Sequence, residues 1–528
     1  MQLGFSNSLL QEVEKEAQLL GHQSPQWSDW DGGKIGGRPS WLNPRDLPEG
    51  ILRCRGPCGK STDDKLGSPL CFVTQLYCPA DDVRESAFHR SLYVFACPKC
   101  CSASSTLMVS LKKSSANQGE MNSTPEHNLS DCIQVLRCQL PKKNDFYPLK
   151  GDVDGEWIKH TSAFWAKTNQ NDQLNLCAVC GLRSRGKCPK QKKFFCSSDH
   201  QKEYLRATKK SRGDKSTNGA NSVSLKYLPS LCFASELVVE EEPQPSHHAT
   251  KNDFAKKASD GLFKSVEISD VDADLEQSDL NVLTGNSAFA EAATGVTDPT
   301  TLAFYARMAI GGEVNDVRDQ CLRYSRWPET KQGSASIDDD DDGISEGPLW
   351  LTSDNQPPLQ YENETSSPPF PPPCQYCGAP RSFEFQILPQ MLHYLCVDPS
   401  EKRESDGGMS SQVLTESEIA ILLEAKSKIE SGVDLPPGFR EQHERAVAKA
   451  REALLGIGES KTHSVPHGAR VPLEWGTIAI YTCTASCGEG GVVSLQDIVC
   501  SVSSTEKERL RCLGSYREEV AWIQPSLD

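Results

Sequence analysis

Several things are missing from this chain of 528 residues, and each omission narrows what it does. No window of 18 or more residues is apolar, so the sequence offers no membrane-spanning helix. The opening Met1-Gln-Leu-Gly-Phe has neither the basic nor the apolar region of a secretory leader, and a reducing, cytoplasmic compartment is expected. There is no G-x-x-x-x-G-K-[ST] phosphate cradle, no G-x-S-x-G elbow and no H-E-x-x-H pair. The chain is therefore read as a non-enzyme. Positive charge is short as well: 56 basic residues face 72 acidic ones, for a net charge of −16. Phosphate backbones need clustered Lys and Arg, so nucleic acid is not expected as a direct ligand.

Cysteine is abundant, with 22 in the chain, and it is patterned. Trp41-Leu42 precedes Cys54-x3-Cys58-Gly59, a strand from Phe72 to Pro79 that carries Gln75, and a strand from Leu92 that ends in Cys97-x2-Cys100. The order recurs 320 residues on: Trp350-Leu351, Cys374-x2-Cys377-Gly378, a strand from Phe383 to Pro389 that carries Gln386, and a strand from Ile478 that ends in Cys483-x3-Cys487. Two cysteine knuckles supply four thiolates, the set that tetrahedral Zn²⁺ takes in a closed structural site. The spacing alone leaves Cys100 or Cys101 as the fourth donor of the first set; Cys100 keeps the C-x2-C step and is chosen. The expected fold class is α+β but β-dominated, with two related zinc-clipped antiparallel β lobes produced by internal duplication.

Thirty-eight residues separate Cys58 from Cys97, and 105 separate Cys377 from Cys483. The excess corresponds to a helical insertion at 401–466. Its first helix opens on a capping box of Thr415 and Glu418, and its second runs from about Gly438 to Leu455 after a Leu-Pro-Pro-Gly breaker.

Between the halves lies Cys177-x2-Cys180-Gly181, then Cys188, Cys196 and His200. This stretch resembles the zinc-binding half-pattern of a MYND finger. Carried over residue by residue, Cys177, Cys180, Cys196 and His200 form one site. The second site of such a finger would pair Cys188 with a cysteine where Gln191 stands, so a degenerate finger holding one zinc is expected. Three structural zinc ions in all follow, one in the finger and one per lobe. Cys71, Cys78, Cys132, Cys138, Cys232, Cys321, Cys396, Cys500 and Cys512 are read as plain buried thiols.

The domain boundaries follow: an N-terminal lobe at 1–165, the finger at 176–205, an acidic connector at 206–345, and a C-terminal lobe at 346–528. Within the connector, Glu236 to Asp298 holds 14 acidic residues against four lysines, and Asp338 to Asp342 is unbroken aspartate. Such composition suits a solvated linker, or an electrostatic surface for a basic client. A short strand near 231–240 and an amphipathic helix near 298–309 are expected in it. Lys187 to Lys215 is the basic exception, either a nuclear import signal that would let the protein shuttle or a solvated loop. The Gly32 to Gly37 run sits among Pro and Trp, and is read as a tight turn with φ > 0. His89 is read as a structural histidine.

Six strings bring a resemblance. They are Gly32-Gly-Lys-Ile-Gly-Gly-Arg-Pro-Ser-Trp41, Ala87-Phe-His-Arg90, Gln139-Leu-Pro-Lys-Lys-Asn-Asp-Phe-Tyr147, Leu322-Arg-Tyr-Ser-Arg326, Phe385-Gln-Ile-Leu-Pro-Gln390 and Val520-Ala-Trp-Ile-Gln524. In this order, with the three knuckle sets, they resemble the programmed cell death protein 2 family. The truncated finger, the C-x3-C step at Cys54 and the insertion near Glu401 to Pro466 depart from that family's pattern. The resemblance implies a split zinc-clipped β domain with a finger between its halves. It also implies a dedicated chaperone, monomeric, that binds the eukaryotic small-subunit ribosomal protein number two as a nascent chain on translating ribosomes and supports 40S biogenesis. Strand addition to an exposed sheet edge is one expected mode of capture. The alternative is a nuclear adaptor that recruits transcription or chromatin factors through the finger.

Overall fold

The computed structural model describes residues 2–7, 33–43, 46–49, 52–56, 58, 68–102, 129–144, 175–184, 186–213, 228, 232, 234–241, 300–301, 304, 320–327, 347–357, 370–396, 438–440, 442, 445, 473–488 and 503–526. The body is β-dominated. Its strands are β1 (Gln2–Asn7), β2 (Gly33–Ile35), β3 (Cys71–Tyr77), β4 (His89–Ala96), β5 (Ile133–Leu140), β6 (Gly186–Cys188), β7 (Lys193–Phe195), β8 (Ser235–Glu241), β9 (Gln320–Tyr324), β10 (Arg381–Ile387), β11 (Thr477–Cys483) and β12 (Arg517–Gln524). Helices α1 (Ser198–Gly213), α2 (Met391–Cys396) and α3 (Ser504–Arg511) accompany them, and residues 438–440, 442 and 445 are helical where the second helix of the insertion was expected. None is long and apolar enough to cross a membrane.

Ten strands close into one antiparallel barrel in the order β1-β8-β2-β3-β4-β5-β12-β11-β10-β9. The two halves of the sequence thus share one sheet and do not stand as two separate lobes. The physical reason is the seam where β5 meets β12, with Arg137 opposite Arg517 and Val135 opposite Glu519, together with β1, which bridges β8 and β9. Closure leaves the barrel without a free edge among the described residues; the two-stranded sheet of β6 and β7 stands apart from it.

Within the barrel the halves match in detail. The meander β2-β3-β4-β5 and the meander β9-β10-β11-β12 have the same order. Phe72 faces Phe95 and Thr74 faces Val94 across a bulge. Phe383 faces Tyr481 and Phe385 faces Ile480 across a bulge in the same place. Each half also spends a buried glutamine on the segment before its first knuckle. Gln75 Oε1 accepts from the Ser40 amide and Gln386 Oε1 from the Leu349 amide, both at 2.9 Å.

Strands β4, β5 and β11 are buried along their whole length, on both faces. Double cover suits the apolar run Leu92 to Ala96 of β4, and it also buries polar side chains, Arg90 in β4 and Gln134, Arg137 and Gln139 in β5. In the first half the outer cover is the loop at 36–42. Trp41 is 2 % exposed and packs on Tyr93 and Tyr516 with ring centroids 5.1 Å away in each case. The loop is bent by glycine: Gly37 has φ +69°, and a Cβ there would lie 2.8 Å from the Ala234 Cβ. The expected tight turn is present.

The strand expected near 231–240 is β8, and residues 300, 301 and 304 are helical where a short helix was expected. Phe304 packs on Leu351 and Leu388, which anchors that segment to the second half. Most of the acidic connector, Cys500, the Thr415 helix and most of the 401–466 insertion lie outside the described residues.

Candidate metal centres

The twelve sulfur and nitrogen donors named from the sequence fall into three groups, in each of which the donor atoms lie within 4.8 Å of one another. The first is Cys54, Cys58, Cys97 and Cys100; the second is Cys177, Cys180, Cys196 and His200; the third is Cys374, Cys377, Cys483 and Cys487. Each could hold a metal ion.

Local structure explains how the donors converge. In the second and third groups a C-x2-C-Gly turn folds back on itself. Gly181 (φ +70°) returns its amide to the Cys177 carbonyl at 3.0 Å, and Gly378 (φ +75°) does the same to Cys374 at 2.8 Å. Glycine takes this left-handed bend without a steric cost, and both sulfurs come to one side. His200 is placed by the start of α1, where the Ser197 hydroxyl accepts from the His200 amide at 3.2 Å as a helix cap. The donor knuckles of the first and third groups flank matching strands: one precedes β3 or β10, and the other ends β4 or β11.

The distances fit a tetrahedral ion. Thiolates about 2.3 Å from zinc would stand roughly 3.8 Å apart. Cys54 and Cys100 are 3.7 Å apart, Cys58 and Cys97 3.6 Å, Cys374 and Cys487 3.5 Å, and Cys377 and Cys483 3.6 Å. In the finger, Cys180 and Cys196 are 3.5 Å apart, and His200 Nδ1 lies 3.7 Å from Cys177. The thiols of each group share their protons: Cys100 (foremost through Cys132), Cys177 (through Cys180) and Cys483 (through Cys374) are held down, while their neighbours, among them Cys54, Cys180 and Cys374, are pushed up. Deprotonated sulfur is the form that binds metal.

Cys188 joins none of the three groups; its sulfur accepts from Gln201 Nε2 at 3.1 Å. Cys101 is buried beside the first group, its amide bonded to the Cys97 carbonyl at 2.9 Å. Of the cysteines read as plain thiols, Cys138 and Cys396 are pushed up to about 12 by burial. Cys512 is half-buried.

Sequence reasoning missed the charges beneath the third group. Glu519 Oε1 accepts from Arg137 Nε at 2.7 Å, and its Oε2 accepts from Arg381 Nε at 2.9 Å and from the Cys483 amide at 3.2 Å. Arg137 also donates to the Cys487 carbonyl at 2.9 Å. Arg137 belongs to the first half, so the third group is held by both halves. Glu518 links the knuckles themselves: its carboxylate meets Arg55 at 2.8 Å and its carbonyl accepts from Gln375 at 3.1 Å. Charged residues inside otherwise apolar strands were the available signal.

It also missed how the finger is seated. Arg38 Nε donates to the Val179 carbonyl at 2.6 Å, a second Arg38 nitrogen donates to the Ala178 carbonyl, and Trp41 Nε1 donates to the Gly181 carbonyl at 2.9 Å. The knuckle of the second group therefore rests on the barrel through the loop at 36–42. His89 has the structural role expected of it. It is buried against Tyr77, whose hydroxyl lies 3.1 Å from Nδ1, and burial lowers it to about 4.

Comparison with known proteins adds the family. Residues 1–153 match the N-terminal domain of Programmed cell death protein 2, and residues 311–420 match its C-terminal domain. Programmed cell death protein 2 of Bos taurus is 25 % identical over 381 residues, 71 % of this chain and 84 % of the relative. The protein of that name from Mus musculus is 24 % identical over 385 residues, with the same coverage. Programmed cell death protein 2-like of Mus musculus is 41 % identical over 73 residues, 14 % of this chain and 16 % of the relative. No solved structure matches. Carrying both family domains in order, the chain belongs to the programmed cell death protein 2 family.

Proposed function

We propose that the three groups are structural zinc sites and that the protein is a dedicated, non-catalytic chaperone. Its client is one basic small-subunit ribosomal protein, the eukaryotic small-subunit protein number two, bound as a nascent chain and handed to 40S assembly. The observation that carries the reading is the closed donor set. Each group has four protein donors, which leaves no coordination position for water or substrate and makes a bound ion a clip. Zinc would supply cross-linking of the barrel's loops, and the side chains keep their donors aimed: Ser197 for His200, and Glu519 for Cys483.

A barrel stabilised in this way works through its surface. Net charge of −16 and an isoelectric point near 5.3 suit a strongly basic partner, by attraction and by faster encounter. The finger is taken as a MYND-type finger with one zinc. With the carbonyls of Ala178, Val179 and Gly181 engaged by Arg38 and Trp41, it acts as part of the scaffold rather than as a free adaptor. The working form is a cytoplasmic monomer that touches neither membrane nor RNA directly.

The test is affinity capture of the tagged full chain from cells with translating ribosomes present, followed by mass spectrometry. A single basic small-subunit ribosomal protein at near-equal stoichiometry, with its nascent chains, is expected. Dominance of chromatin factors or of RNA would overturn the reading.

A further inference from the structure

The first metal group has a fifth thiol beside it. Cys132 ends the short 3-10 turn at Leu129–Cys132 and is 0 % exposed. Its thiol is in electrostatic contact with those of Cys54 and Cys100, and its carbonyl accepts from the Cys97 amide at 2.9 Å. Cys132 thus lies beside the group, on the side of Cys54 and Cys100. Room for its sulfur depends on Gly56, in the turn between Cys54 and Cys58. A Cβ at Gly56 would stand 2.4 Å from the Cys132 sulfur.

The matching second-half position is occupied differently. The register that sets Tyr93 opposite Leu136 sets Ala479 opposite Trp522, so Cys132 corresponds to Glu518. That carboxylate turns to Arg55 and Gln134, and no fifth thiol stands in its place at the third group among the described residues. Cys58 is also the donor of the first group with most access to solvent, the other three being buried.

We infer that Cys132 is a reserve ligand of the first centre, taking over the fourth coordination position when Cys58 is withdrawn. The inference rests on the zinc reading above. Zinc has no geometric preference from its d electrons and tolerates a fifth ligand in passing, so a sulfur beside the group can enter as Cys58 leaves. Cys132 releases its thiol proton as its sulfur binds, and the departing Cys58 thiolate takes one from solvent. The ion keeps four thiolates and the same charge, and nothing is oxidised or reduced. The clip would survive oxidation or alkylation of its most accessible sulfur, the one such chemistry reaches first.

The experiment is a native mass-spectrometric count of zinc on the full chain, with cobalt(II) substitution to report the number of thiolates by charge-transfer absorption. Wild type and Cys132→Ala are expected to hold three ions. Cys58→Ala should also hold three with undiminished thiolate absorption, and Cys58→Ala/Cys132→Ala should hold two. Cys377→Ala, with no fifth thiol at its group among the described residues, should hold two. Two ions in Cys58→Ala, or three in the double variant, overturn the inference; fewer than three in wild type overturn the zinc reading itself. If Cys58→Ala does not fold, Cys58→Ser, which keeps the size of the side chain, decides. Three retained ions support the reserve ligand, and two sink it.

Discussion

Arg90 in β4 and Glu384 in β10 form a two-pronged ion pair, with Arg90 Nη2 2.7 Å from Glu384 Oε2, although three strands lie between them in the barrel order. Both side chains are 0 % exposed. They can meet only through the barrel interior, so the pair ties the N-terminal half to the C-terminal half. Burial pushes the Glu384 carboxyl up, and the Arg90 guanidinium more than offsets it, holding Glu384 below its ordinary value. The Thr482 hydroxyl also donates to Glu384, and the Arg90 guanidinium lies 5.5 Å from the Trp327 ring centre.

Removing one partner of such a pair leaves a buried charge with no counterpart. Glu384→Gln should cost about 3–5 kcal/mol in denaturant unfolding, whereas Arg90→Met/Glu384→Leu should cost much less than the sum of the single changes. An additive double mutant would mean that the two charges do not act as a unit.

Chelation should act on the whole barrel, since the first and third groups sit at the ends of its central strands. Prolonged treatment with a strong chelator should release three ions, lower the melting temperature by ten degrees or more at typical zinc affinities, and broaden the transition. Unchanged melting after complete metal removal would deny the sites a structural role.

The seat of the finger should be separable from barrel stability. Arg38→Ala removes two hydrogen bonds from a charged group, about 1.5–3 kcal/mol each, and should speed limited proteolysis around 186–195 with little change in barrel melting. Trp41→Ala empties a buried aromatic site and should cost about 3–5 kcal/mol globally.

His89 gives a pH signature. Its folded value, about 4, lies below the usual 6.5, so the unfolded chain binds the proton more readily between those values. The stability this histidine withholds therefore grows as pH falls through that window, up to about 3 kcal/mol. The difference in unfolding free energy between wild type and His89→Gln should move with pH between 7 and 4.5 and stay flat above 7.

Much of this protein follows from local pattern. Knuckle spacing named the eight donors of the first and third groups, and the resemblance to a MYND finger named the four between them, because two sulfurs on one tight turn are a matter of a few residues. The repeat of Trp-Leu, knuckle, strand with glutamine, strand and knuckle anticipated the two matching meanders, since a strand's register is carried by its own alternation and its own bulge. Tertiary structure decided the rest, because it depends on contacts between residues hundreds apart. Whether two meanders stand alone or close on each other is settled at the β5–β12 seam, where Arg137 finds Glu519. That Cys132 lies by a metal group follows from how the turn before β5 meets a knuckle about 75 residues earlier. Arg38 is one arginine among many in the sequence, and only the fold brings it to the carbonyls of Ala178 and Val179. Spacing along a chain fixes which atoms share a turn; closure of the sheet fixes which turns share a neighbour.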